Sequence, residues 1–132
     1  MKKFIKLISK YSAITFIALT FCIGTVSAAT TYSSWSNYVY WNTWIGLSGQ
    51  TKSSSSSKSV TIDWQDAEAS NFKMNFRILN SDLKEIESAR LNYLATSTFT
   101  ASTVSGREYL LQGLRDGYFT PRVYIKGRWK IN

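Results

Sequence analysis

The side chains best suited to acid–base chemistry in this sequence are eight carboxylates: Asp63, Asp66, Glu68, Asp82, Glu85, Glu87, Glu108 and Asp116. The chain has no histidine and a single cysteine, Cys22. That removes Ser-His-Asp and Cys-His nucleophilic arrangements and the usual catalytic zinc ligand sets. A glycoside hydrolase needs two carboxyl groups about 5–10 Å apart across a cleft, and a chain this short rarely forms a deep one. Asp63-Trp64-Gln65-Asp66-Ala67-Glu68 spaces oxygen ligands as a calcium loop does, but lacks the glycine and ligand density of an EF-hand. These acids read as solvated turn residues. No phosphate-cradling glycine loop is present. The expectation is a protein that is not an enzyme, with no catalytic residue, metal or cofactor.

Two patterns point to binding instead. Arg122, Lys126, Arg128 and Lys130 fall at even spacing with Tyr124 among them, and no acid interrupts them from Tyr118 to the last residue. Arg115 would join from a preceding hairpin arm. A stripe of this kind attracts anionic polymers or lipid headgroups in a salt-dependent way. The structural alternative is an edge strand whose cations block edge-to-edge pairing. The second pattern is Trp35, Tyr38, Trp41 and Trp44 at every third residue. On a straight strand Trp35 and Trp41 face one way, Tyr38 and Trp44 the other. One set would then be free to stack on sugars or to sit at a membrane interface. Alternatively, the rings cover the open ends of a sandwich.

The amino-terminal 28 residues have the three zones of a secretory signal peptide. Lys2, Lys3, Lys6 and Lys10 make a positive start, and residues 13–26 are apolar apart from Thr15, Thr20 and Thr25. Val26-Ser27-Ala28 offers the small residues that signal peptidase needs. Cleavage is expected after Ala28, with Ala29 the alternative. The apolar stretch falls short of the about 20 residues of a spanning helix, so no membrane anchor is expected after cleavage. Phe21 before Cys22 disfavours lipidation. The mature chain, 29–132, then has 104 residues, no cysteine, and twelve bases against eight acids, a net charge of +4 rather than +8. It is long enough for one domain with a real core. The expected location is extracellular, which speaks against nucleic acid as the partner.

The elements that must position these residues are strands. Val60, Ile62 and Trp64 alternate with polar residues, as do Phe72, Met74, Phe76 and Ile78. Residues 51–59 form a Ser-rich loop that should bury nothing, Asp66–Asn71 reads as a turn, and Asn80-Ser81-Asp82 carries turn chemistry. Residues 83–94 fit either a short helix capped by Asp82 or a strand. The strand is preferred from about Ser88 onward, continuing to Thr103. Ser105-Gly106 turns the chain into a strand over 107–115, and Asp116-Gly117 signals a hairpin into the last strand. That strand puts Val123, Ile125, Gly127, Trp129 and Ile131 on one face and Arg122, Tyr124, Lys126, Arg128 and Lys130 on the other. The fold class predicted is all-β: a small antiparallel β-sandwich or partly open barrel of about six strands.

The Lys-rich leader, Arg-Glu-Tyr-Leu-Leu at 107–111 and Val-Tyr-Ile-Lys-Gly-Arg-Trp at 123–129 resemble small exported β-sandwich proteins of low-GC Gram-positive bacteria. In broad plan the chain is also similar to the lactococcin-972-type bacteriocins: leader, cysteine-free mature chain, β-sandwich, aromatics and basic charge. It is longer than those and has no histidine, and no residue role carries over. Together these features predict a secreted protein that associates with the cell envelope through its basic strand, or alternatively a bacteriocin-like toxin acting through its aromatics.

Overall fold

The computed structural model describes residues 31–53, 56–117 and 121–132. The leader, 1–28, and the cleavage positions Ala28 and Ala29 lie outside the described residues. Among the described residues eight strands follow one another: β1 (Ser33–Val39), β2 (Ile45–Thr51), β3 (Ser59–Ala67), β4 (Met74–Asn80), β5 (Glu85–Leu91), β6 (Thr96–Thr100), β7 (Glu108–Arg115) and β8 (Val123–Ile131). They form two four-stranded antiparallel sheets, ordered β1-β8-β3-β6 and β2-β7-β4-β5. This strand order, two interlocked Greek keys with only β4 and β5 paired as sequence neighbours, is that of a jelly roll. The all-β sandwich expectation holds, and no described residue is helical.

The count is eight rather than six because two runs of β-favouring residues each break and change sheet. The aromatic run ends as a strand at Val39, and residues 40–44 cross to the second sheet. The run expected from Ser88 to Thr103 breaks at 92–95, where Ala95 N–H bonds the Asn92 carbonyl at 3.0 Å and Leu94 takes a φ of 52°. Asp116-Gly117 likewise does not close a hairpin. Both edges of β7 are taken by β2 and β4, so the chain leaves for the first sheet. Gly117 has a φ of 122°, a conformation glycine favours. The dipeptide therefore reports local backbone freedom and not which strand comes next. Asn80 does close a hairpin, its Oδ1 accepting the N–H groups of Asp82 and Lys84 at 3.0 Å each.

Alternation sets the core. Val60, Ile62, Trp64, Phe76, Ile125 and Trp129 are all buried between the sheets. Trp35 of β1 meets Phe76 of the facing sheet at a centroid distance of 5.7 Å, and Trp64 packs on Phe72 at 5.0 Å and on Tyr93 at 5.6 Å. Gly127 stands opposite both Trp35 and Trp64 in the ladder. A Cβ there would lie 2.3 Å from the Trp35 ring and 2.5 Å from the Asp63 carbonyl, so only glycine fits between these neighbours.

The Ser-rich connection does bury something. Lys52 is 2% exposed, and its ammonium donates to the carbonyls of Ser57 and Asn132. Burial, and then the charge of Lys58, push the Lys52 ammonium below its ordinary range. Gln50 adds a second tie, accepting from Ile131 N–H at 2.7 Å and donating to the Thr31 carbonyl at 2.9 Å. Serine composition predicts a solvated loop. The lysine inside it is retained because backbone carbonyls satisfy its charge.

Candidate functional site

The basic residues of β8 occupy the outer face of the first sheet, opposite the core. β8 is an interior strand, paired with β1 on one side and β3 on the other. Its cations therefore do not guard a sheet edge, and the edge-protection reading of the stripe is overturned. Tyr124, Lys126, Arg128 and Lys130 stand in one row, separated by about 6.8 Å for each two-residue step, and Arg122 precedes them.

The neighbouring strands supply what the sequence pattern could not show. On the β1 side, Ser34 lies opposite Arg128, Ser36 opposite Lys126 and Tyr38 opposite Tyr124. Cations stack on the tyrosines. The Arg128 guanidinium sits 4.2 Å and the Lys130 ammonium 4.9 Å from the Tyr32 ring centroid, and Arg122 lies 4.2 Å from that of Tyr38. Tyr38 meets Tyr124 edge-on at 5.2 Å. Guanidinium–ring contacts of this kind hold the cation in one orientation while leaving its N–H edge free to donate.

On the β3 side stand acids. The strand runs on to Ala67 through an irregularity between Trp64 and Asp66, so Asp66 is a strand residue and not the start of a turn, while Glu68 follows the strand's last residue. Asp63 pairs with Arg128 at 2.8 Å and accepts from the Thr96 hydroxyl at 2.7 Å. Asp66 lies opposite Lys126. Glu68 accepts the Tyr124 N–H at 2.9 Å. Desolvation raises the Asp63 carboxyl, but hydrogen bonds from Thr96 and Arg128, the charge of Arg128 and a bond from Gln65 outweigh it. The net effect holds Asp63 below the ordinary carboxylate range. Between β3 and β6, Thr61 and Thr98 share a hydrogen bond at 2.9 Å. The face thus runs from hydroxyls and tyrosines, through cations, to acids and threonines.

Not every candidate residue belongs here. Arg115 lies in β7 of the other sheet, its guanidinium 4.6 Å from the Phe72 centroid and bonded to the Pro121 carbonyl at 2.8 Å. It ties the end of β7 to the chain entering β8. Trp35 is core, 4% exposed. Tyr38 is on the basic face. Trp41 and Trp44 are partly exposed in the 40–44 crossing, and Arg77 of the second sheet stacks 4.3 Å from the Trp44 ring. The four aromatics are therefore split among three places rather than lined along one strand. Sequence reasoning passed over Tyr32, Ser34 and Ser36, although their alternation with Trp35 and Asn37 was the available signal.

Elsewhere, a cleft of about 280 Å³ is lined by Asn80, Asp82, Ile86, Val104, Arg107 and Tyr109 among others, and Asp82 is its one carboxylate. Among the described residues no group of acids is placed to hold a metal ion, and no helix is long and apolar enough to cross a membrane. Comparisons with protein-family models, curated proteins and solved structures give no match for this chain.

Proposed function

We propose that this is an exported, non-enzymatic protein that associates with the cell envelope, or another anionic surface, through the outer face of its first sheet. The observation that carries the reading is the row of cations on an interior strand, two of whose guanidiniums are held against tyrosine rings. An interior strand needs no charge to prevent edge pairing, so edge protection does not explain the row, and the ion pair with Asp63 accounts for Arg128 alone. The non-enzymatic half of the reading rests on the missing histidine and on the single carboxylate of the Asp82 cleft. The rival reading, a bacteriocin-like toxin using exposed aromatics, has lost Trp35 to the core and keeps only Trp41 and Trp44 away from the basic face.

The chain from residue 29 contains every core residue among those described and can be tested in its exported form. It should sediment with isolated Gram-positive cell walls at low ionic strength and be released by high salt, because exposed charges interact over a screening length of about 10 Å at 0.1 M. Failure to bind walls or anionic vesicles at low salt would overturn the proposal.

A further inference from the structure

Resting on that reading, we propose that the face is built for a linear phosphodiester polymer lying along β8, rather than for a membrane or a free phosphate. The polymer's track follows β1 beside β8, where the small Ser34 and Ser36 stand opposite the long Arg128 and Lys126 and so leave a trough next to them. Its floor is Ser34 and Ser36, both exposed, and its two ends are marked by Tyr32 and Tyr38, about 20 Å apart at strand rise. Lys126, Arg128 and Lys130 form one wall.

Three features select this partner. The first is charge geometry. A flat anionic surface meets the whole face, where Arg122, Lys126, Arg128 and Lys130 are offset by Asp63, Asp66 and Glu68, leaving +1. A polymer on the β1 side meets the cations directly and has the acids one strand further off, about 4.8 Å beyond. The second is repeat length. Cations recur at about 6.8 Å, a spacing that an extended three-carbon polyol phosphate chain can match, so successive phosphates meet successive cations. The third is the state of the aromatics. Tyr32 and Tyr38 already carry Arg128, Lys130 and Arg122 on their rings. Rings engaged in this way offer little to a bilayer interface, and little to nucleobases, which bind single-strand sites by stacking on open aromatics. Serine hydroxyls on the floor suit a partner rich in hydroxyl groups.

The test uses polyglycerol phosphate of one, four and eight repeats, phosphatidylglycerol vesicles and a single-stranded oligonucleotide of eight nucleotides, titrated against the exported chain by calorimetry. The eight-repeat polymer should bind roughly 100-fold more tightly than the single repeat, since linked contacts add without new losses of freedom. Asp66→Asn should tighten that binding, and Ser34→Leu with Ser36→Leu, which fills the trough, should abolish it. Equal binding of one and eight repeats, or stronger binding to vesicles or oligonucleotide than to the polymer, would overturn the proposal. So would a filled trough that still binds the polymer fully. In each of those cases salt-dependent wall binding persists and the envelope reading stands, whereas loss of all wall binding removes that reading too.

Discussion

Asp63 shows how one side chain changes meaning between sequence and structure. In the sequence it reads as a solvated acid, one of the polar residues that alternate with Ile62 and Trp64. In the sheet it is 17% exposed, bonded to Thr96 and paired with Arg128, which it holds beneath the Tyr32 ring. The difference arises because its partner Arg128 comes from β8, and that pairing spans more than sixty residues. Because its folded carboxyl is held below the ordinary value of 3.8, Asp63 stabilises the fold wherever a free aspartate is ionised. That contribution is lost as pH falls from the ordinary value through the lowered folded one. The urea unfolding midpoint should therefore drop across that acidic window, and Asp63→Asn should flatten this part of the profile. An unchanged profile in the variant would place the acid sensitivity elsewhere.

At the scale of elements, the strands themselves were legible. The alternations over 60–64, 72–78 and 123–131 all hold, since a half-buried strand writes its two faces directly into the sequence. Connections were less legible. Turn residues report a backbone conformation, and Asp-Gly at 116–117 is used to leave one sheet for the other. β8 carries most of the molecule's organisation. Its inner face fills the core, its outer face carries the cations, and Gly127 lets the Trp35 ring and the Asp63 carbonyl come close to it. Gly127→Ala should destabilise the fold by roughly 1–3 kcal/mol through overpacking, measured by chemical denaturation. A variant as stable as the parent would mean that both the Trp35 ring and the β3 backbone at Asp63 are free to move aside.

At the scale of the whole molecule, the sandwich segregates its chemistry. The sequence predicts a modestly basic domain once a leader is removed, and its charge pattern singles out the last strand. It could not show that the acids of β3 and the tyrosines and serines of β1 flank that strand, because sheet order is decided by long-range pairing. The outcome is a face with direction across it, hydroxyls and rings on one side of the cations and carboxylates on the other. The central claim is that this face, and not net charge, makes the envelope contact. It is tested most directly by wall binding at low salt of two variants with the same net charge. Lys126→Glu with Lys130→Glu alters the face, and Lys73→Glu with Lys84→Glu makes the same change in exposed residues away from it. The account predicts that the first pair loses binding and the second keeps it, and equal loss in both, or retention in both, would contradict it.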